Sequence, residues 1–266
     1  MTSKTLILSS KMNNFCTEFN PPIHLSANKI YEAALLSIDT YYSFPNITTE
    51  NNNFKYYNGQ NWKTIKLDTG SYEVQAINDE IQRQMVTNND YSQERNEFYI
   101  TISANTSKLK SVLHISNPSY NVDFSVENSI GPTLGFNTEI LNSGYHEFPK
   151  IVDIMKINSI LVNVDIISGS YVNGMQHPVI YSFFPNVAPG RKIVERPNPS
   201  LSYYPVNRHQ IDRIMVWLTD QDNKPVDLRG ETVTIRLELR EVQNTEEQII
   251  NGVKQAIKQL KKENIL

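Results

Sequence analysis

Residues 211–240 constrain the fold of this chain more than any other stretch. Two apolar-rich runs, 214–218 and 233–239, flank a connection rich in turn-forming residues, which are Asp220, Asp222, Asn223, Pro225, Asp227 and Gly230. In the second run apolar residues alternate with polar ones from Val233 to Leu239, which is the period of a half-buried strand. The turn cluster before this strand suggests an antiparallel partner. We therefore expect the chain to close a β-domain with a strand, as in an architectural protein rather than an enzyme.

Strand-like runs recur along the rest of the chain, separated by clusters of Asn, Pro, Gly and Ser. The further runs are 5–9, 30–42, 62–67, 97–102, 111–115, 122–124, 159–167, 179–184 and 192–194. Many strands with turn-rich connections and few long helices favour a sandwich or barrel over an α/β sheet. With 266 residues and 39% hydrophobic content the chain is long enough to bury a sizeable core. The predicted fold class is all-β.

One internal helix interrupts the strands. Val74, Ile77, Ile81 and Met85 follow one another at spacings of three, four and four, which places them on one face of a helix. Ser71 precedes this stripe and is predicted to cap the first backbone N–H groups. We expect the helix to pack across an open end or face of the sandwich.

The C-terminal segment 244–266 differs from the rest of the chain. Thr245 and Gln248 form a capping-box pattern, and the apolar residues that follow share one helical face: Ile250, Val253, Ile257 and Leu260. Gly252 weakens the helix by about 1 kcal/mol relative to Ala, so we expect the tail to need a docking surface. Three alternatives remain: a helix folded back on its own domain, an arm that contacts a neighbouring subunit or another component, and a membrane-surface helix. The last is the weakest, because the apolar face lacks aromatic residues.

The residues that carry chemistry are scattered. The five histidines stand singly, and Cys16 is the only cysteine, so neither an HExxH motif nor a cysteine-based metal site is present. Residues 220–223 resemble the start of a calcium loop, but Pro225 stands where the loop needs Gly, which favours a turn with side-chain-to-backbone bonds. Residues 169–174 contain two glycines but precede no helix pattern, so we interpret them as a loop between strands. We predict no enzyme activity, no cofactor and no metal.

Charge and hydropathy narrow the class of partner. The net charge of −3 argues against broad phosphate neutralisation, so no specific nucleic-acid partner is expected. No apolar run approaches the length of a membrane span, and the short run at residues 6–8 does not resemble a signal-peptide core. A single cysteine is consistent with a reducing compartment. We expect assembly in the cytosol or nucleus, without secretion and without a membrane partner.

Aromatic residues next to prolines suggest contacts between subunits. They concentrate at loop-like positions, and the predicted interface residues are Tyr41, Phe44, Tyr181, Phe183, Phe184 and Tyr204. Tyrosine and phenylalanine are enriched at the centre of protein interfaces. The alternative is packing at core edges and within loops.

Several motifs, taken in order, resemble one family. They are Pro21-Pro22-Ile23, Ser37–Tyr41, Asn53-Phe54-Lys55, Thr69–Glu73, Ser129–Phe136, Ile167–Gly174, Phe183-Phe184-Pro185 and Asp227–Glu231. Their collinear order over residues 5–240 resembles the penton (minor capsid) proteins of Polinton (Maverick) elements and adintoviruses.

The resemblance implies a single jelly-roll β-sandwich over residues 1–243, followed by the amphipathic helical tail 244–266. It further implies a penton-like subunit at the five-fold vertices of an icosahedral shell, a homopentamer within the virion. The implied partner is a double jelly-roll major capsid protein. Two other functions remain open: a jelly-roll binding module, lectin-like or an attachment protein and possibly a host-integrated copy, and a cupin-like enzyme, which the scattered histidines disfavour.

Overall fold

The computed structural model describes residues 3–147, 150–154, 156–197 and 200–242. The expected tail 244–266, with Ile250, Val253, Ile257 and Leu260, lies outside the described residues. Within them the chain forms twenty strands and one helix. In chain order these are β1 (Ser3–Ser10), β2 (Asn14–His24), β3 (Tyr31–Tyr41), β4 (Asn53–Tyr57), β5 (Trp62–Lys66), α1 (Val74–Thr87), β6 (Tyr91–Ser92), β7 (Glu97–Phe98), β8 (Ile100–Asn105), β9 (Lys110–Ile115), β10 (Asn121–Asp123), β11 (Ile140–Leu141), β12 (Gly144–Glu147), β13 (Ile160–Val164), β14 (Tyr171–Val172), β15 (Met175–Gln176), β16 (Val179–Phe183), β17 (Lys192–Glu195), β18 (Tyr204–Pro205), β19 (Gln210–Asp220) and β20 (Val233–Glu241).

Packing divides the chain into two compact units. The first, here called the sandwich unit, comprises Met1–Tyr41, Ser159–Val187 and Lys192–Leu266. The second, the inserted unit, comprises Tyr42–Asn158 together with Ala188–Arg191. Most of the inserted unit is therefore a long insertion in the sequence between β3 and β13, and both units draw on the segment 1–243.

The sandwich unit has the strand order of a jelly roll. Its first sheet runs β1-β20-β3-β17, with β18 also paired to β3, and its second runs β16-β13-β19-β2. Of these eight main strands, only β13 and β16 are successive in sequence and adjacent in one sheet. Every other step from one main strand to the next changes sheet. This arrangement of two antiparallel four-stranded sheets is the jelly roll, so the predicted all-β fold class, with one internal helix, is confirmed.

The last strand, β20, shows why the alternating pattern is the clearest signal in the sequence. Val233, Ile235, Leu237 and Leu239 are each at most 2% exposed and form part of the core. Their strand pairs antiparallel with β1 on one side and β3 on the other. The preceding strand, β19, belongs to the other sheet. An antiparallel partner exists, therefore, but it is not the strand at the other end of the turn cluster, because that connection crosses the sandwich.

Side chains that bond to nearby backbone groups build this connection, as expected for residues 220–230. The Asp220 carboxylate accepts hydrogen bonds from the backbone N–H groups of Asp222, at 2.9 Å, and Lys224, at 2.8 Å. Asp227 accepts a 2.8 Å bond from the N–H of Arg229. Arg229 and Gly230 follow with φ values of 51° and 78°, a left-handed turn that leads into β20. The turn interpretation is confirmed.

The inserted unit contains the predicted helix. Val74, Ile77, Ile81 and Met85 are all buried, so the predicted stripe is confirmed. It packs within the inserted unit, next to β8, whereas the sequence placed it on the jelly roll. Asn78 of the helix accepts a 2.8 Å hydrogen bond from the N–H of Ile102, which satisfies a donor of β8. The helix therefore belongs to the core of the inserted unit.

The predicted cap at Ser71 is wrong. The helix begins after Glu73, which makes no side-chain capping bond. Ser71 instead donates its hydroxyl proton to the backbone oxygen of Phe44. The side chain of Asn46 accepts a 2.9 Å bond from the N–H of Tyr72. Hydrogen-bonding groups just before the helix are thus satisfied by a segment about 26 residues upstream. The spacing of residues around Ser71 does not predict these long-range contacts.

Candidate interaction surface

Two of the predicted interface tyrosines face the interior of the sandwich unit from opposite sheets. Tyr181 on β16 pairs with Val162, which is fully buried, and Tyr204 on β18 pairs with Ala33, which is 1% exposed. Side chains opposite each other on neighbouring strands lie on the same face of a sheet. Both tyrosines are nevertheless only half-buried. Among the described strands, β16 lies at the edge of its sheet and β18 covers only two residues of β3, so the described strands leave this side of the sandwich partly uncovered.

An open cleft of ≈ 570 Å³ marks this side of the unit. Both faces of β16 contribute to it, through Tyr181 and Ser182, so the cleft follows the edge of that strand that pairs with no other described strand. The remaining apolar lining comes from Leu161, Tyr171, Val172 and Val179, together with Tyr204. We call this surface the tyrosine cleft. Large amphipathic rings beside an unpaired strand edge are a typical docking surface for another segment of polypeptide.

A small ribbon formed by β14 and β15 makes one wall of the cleft. Asn173 and Gly174 join its strands with φ values of 50° and 82°, the conformation that Asn-Gly turns adopt. Ser170 fixes its base, since its hydroxyl donates to the backbone oxygen of His177 and accepts a 2.9 Å bond from the N–H of Val179. Tyr171 and Met175 are 69% and 65% exposed on this ribbon. Residues 169–174 lie between β13 and β16, but they are not a simple loop as expected, because Tyr171–Val172 form β14 and present Tyr171 to the cleft.

The other predicted interface residues lie elsewhere. Phe184 is 65% exposed directly after β16, and Tyr41 is 40% exposed at the end of β3. Phe183 is buried beside Tyr181, with their ring centroids 6.5 Å apart. Phe44 is buried in the inserted unit, against Tyr42. Of the six, the cleft brings together Tyr181 and Tyr204, while Phe44 and Phe183 serve the core of their own chain.

An acidic residue that the sequence analysis missed lies near the cleft. Glu195 on β17 pairs with Ile38, which is fully buried, so its side chain also faces the interior. Partial burial raises the pKa of the Glu195 carboxyl. Burial also raises the pKa of the Tyr181 phenol, and the negative charge of Glu195 raises it further. Among the described residues no hydrogen bond or ion pair compensates this carboxylate.

On the outer face of the first sheet, by contrast, the charged side chains pair with one another. Arg236 donates to Asp39 at 2.5 Å, and Arg240 donates to Glu32 at 3.0 Å. The guanidinium of Arg240 also lies 3.1 Å from the ring centroid of Tyr203. These pairs join positions about 200 residues apart in sequence, so no local sequence pattern predicts them. Their charges already have partners, so we place the candidate surface at the cleft.

The described part of the chain contains no group of three or more His, Cys, Asp or Glu side chains arranged to hold a metal ion. Within the same residues, no helix has the length and apolar character needed to cross a membrane. Cys16 is exposed on β2, at the edge of the second sheet opposite β16.

Comparisons with known proteins find similarity among solved structures. No protein-family model matches the sequence, and no curated protein sequence does. Among solved structures, the chain is similar to the selenomethionine-labelled mavirus penton protein, with 11% sequence identity and a TM-score of 0.49 over 91% of this chain and 100% of that one. The jelly-roll assignment rests on the strand order of the sandwich unit and not on this similarity.

Proposed function

We propose that this chain is a penton-like capsid subunit that self-associates, as a pentamer, into the five-fold vertices of an icosahedral shell. Its partner in the shell would be a double jelly-roll major capsid protein, and its location the virion. The proposed mechanism is assembly through buried interfaces, without catalysis.

The observation that carries the proposal is the complete two-sheet jelly-roll order of the sandwich unit. Viral capsid proteins, lectins and cupins share this fold, so the fold by itself does not select a function. The collinear motifs that resemble Polinton and adintovirus penton proteins favour the capsid. The motif Ser129–Phe136 forms a tight turn in the inserted unit, where Gly131 leaves no space for a side chain beside Phe124. The motif Ile167–Gly174 contributes to the ribbon beside the tyrosine cleft.

Exposed aromatic residues supply plausible contacts for a ring. A cyclic pentamer requires two different surfaces on each subunit, which meet side to side. Tyr41 and Phe184 are the predicted interface residues with the most exposed side chains. We infer that these two residues contribute to the contacts.

The test is the oligomeric state of the purified full chain. Size-exclusion chromatography with light scattering, followed by electron microscopy, should show five-fold rings, or vertices when the chain is mixed with its major capsid protein. A protein that stays monomeric at high concentration and binds a glycan would instead identify a jelly-roll binding module.

A further inference from the structure

We propose that residues 250–260 dock as an amphipathic helix into the tyrosine cleft of their own subunit. This inference concerns the tail of a single chain and does not depend on the proposed shell function. It joins a partly open surface of the sandwich unit to an apolar stripe, Ile250, Val253, Ile257 and Leu260, that needs a surface to cover it.

The point at which the chain leaves the sandwich lies close to the cleft. Ala33 pairs with Leu239 on one side and with Tyr204 on the other, so Leu239 and Tyr204 lie two strand spacings apart, about 10 Å. The last described residue, Val242, follows three positions later, and its N–H donates a 2.9 Å bond to Ile30. Two strand spacings and three residues of rise place Val242 about 14 Å from Tyr204. The described part of the chain therefore ends near the cleft that we assign to the tail.

The connection is long enough to reach. Seven residues, 243–249, separate Val242 from the start of the stripe and span up to about 24 Å when extended. A helix over 250–260 is about 16 Å long. A tail of this length reaches a cleft about 14 Å away without strain, so no second copy is required to bring the two together.

The chemistry of the two surfaces is complementary. The cleft offers three tyrosine rings and three aliphatic side chains to the apolar stripe. Glu195, near Tyr181, is an inward-facing carboxylate whose charge has no partner among the described residues. In a helix, Lys254 and Lys261 flank the stripe, because each lies four positions after one of its isoleucines. We expect one of these ammonium groups to pair with Glu195 when the tail is docked.

The first test measures whether the tail covers the cleft. In a Ser182→Cys variant of the full chain the new thiol lies on the cleft wall, while native Cys16, exposed on the opposite edge strand, serves as an internal reference. Adding Ile257→Ser and Leu260→Ser should raise the rate of maleimide labelling at position 182 about fivefold or more and leave the Cys16 rate unchanged. The matched control, Gln255→Ser with Gln259→Ser, changes the opposite helical face and should have no effect. Equal labelling in all three variants would overturn the proposal.

A second test distinguishes the tail of the same subunit from that of a neighbour. In a Cys16→Ser background, Ser182→Cys and Ile257→Cys are combined and the protein is oxidised at low concentration. We expect a disulfide within one chain, seen as a faster-migrating monomer that dithiothreitol reverses. Cross-linked dimers alone would mean that the tail is exchanged between copies, which contradicts docking within the subunit. Pentamer formation is a separate readout, so the two proposals fail independently.

A variant of Glu195 tests the proposed pairing of this carboxylate with a lysine of the tail. Glu195→Gln should raise labelling at position 182 about twofold to threefold at low salt, and the difference should shrink at high salt because counterions screen the pair. Glu231→Gln, at an exposed position of the same unit, is the control. If Glu195→Gln labels like the control at every salt concentration, Glu195 is not part of the docking site.

Discussion

Tyr56 donates its phenol proton to the carboxylate of Asp90 at 2.6 Å, across 34 positions of sequence. The same carboxylate accepts a 3.0 Å bond from Asn58 and forms a 2.7 Å ion pair with Lys63. Asp90 is 7% exposed, so these partners replace nearly all of its contact with water. One carboxyl group thus joins β4, β5 and the segment after α1 within the inserted unit.

Replacing Asp90 with Ala should destabilise the inserted unit by about 3 kcal/mol, since Lys63 would keep its charge and Tyr56 would lose its acceptor in a largely buried place. Denaturant unfolding of the full chain, followed by circular dichroism, measures this change. Glu94→Ala, at an exposed loop position of the same unit, is the control and should shift the unfolding free energy by less than about 0.5 kcal/mol. A similar small shift for Asp90→Ala would mean that the cluster contributes little.

The same group predicts a dependence of stability on acid pH. Burial by itself raises the pKa of the Asp90 carboxyl, but hydrogen bonds from Lys63, Tyr56 and Asn58 outweigh it and hold the pKa below its ordinary value of 3.8. A carboxyl whose pKa is lower in the folded state stabilises the protein above its unfolded pKa, and this contribution is lost as the pH falls through the folded value. The stability difference between the native chain and Asp90→Asn should therefore be constant near neutral pH and shrink below about pH 3.8.

Urea unfolding of both proteins between pH 6 and pH 2.5 provides the measurement. Other carboxyls with lowered pKa values, such as those of Glu80 and Glu147, are present in both proteins and cancel in the difference. A difference that stays constant to pH 2.5 would show that Asp90 is not the source of the acid sensitivity.

Two glycines of the inserted unit allow the cost of backbone strain to be measured separately from the cost of steric crowding. Gly135 and Gly190 have φ values of +86° and +78°, so any other residue is strained at either position. A Cβ on Gly135 would lie 2.8 Å from the backbone oxygen of Lys150, whereas one on Gly190 would meet nothing within 4 Å. We expect Gly190→Ala to cost about 1 kcal/mol and Gly135→Ala about 1–2 kcal/mol more. Thermal unfolding of both variants measures these costs. Equal losses of stability in the two variants would rule out the crowding at Gly135.

Phe183 and Phe184 provide a matched test of the predicted interface. They are adjacent in sequence, but Phe183 is 6% exposed and Phe184 is 65% exposed. Phe183→Ala should lower the unfolding free energy by about 3–4 kcal/mol, since it leaves a cavity in the core. Phe184→Ala should leave the unfolding free energy within about 0.5 kcal/mol and weaken self-association, measured by analytical ultracentrifugation. Unchanged association would remove Phe184 from the interface.

Local periodicity explains the parts of the fold that could be predicted from the sequence. The alternation in β20 and the three-and-four spacing in α1 record which face of each element is buried, and both agree with the structure. The turns at Asp220 and Asp227 could be predicted because each carboxylate accepts bonds from backbone N–H groups only two to four residues away. Such contacts depend on local sequence alone. The aromatic positions were less informative, because Phe183 in a core and Phe184 on a surface have the same chemical pattern.

The amino-acid sequence by itself thus determined the all-β class, the internal helix and the polar connection before the last strand, since each depends on neighbours a few residues apart. Only the tertiary structure decided that β20 lies between β1 and β3, where Leu237 pairs with Leu6 and Leu35. It also decided that residues 42–158 form most of a second compact unit, and that Tyr181 and Tyr204 line one cleft. These arrangements join residues that are far apart in the chain, and their stability comes from burying surfaces that no single segment can bury alone.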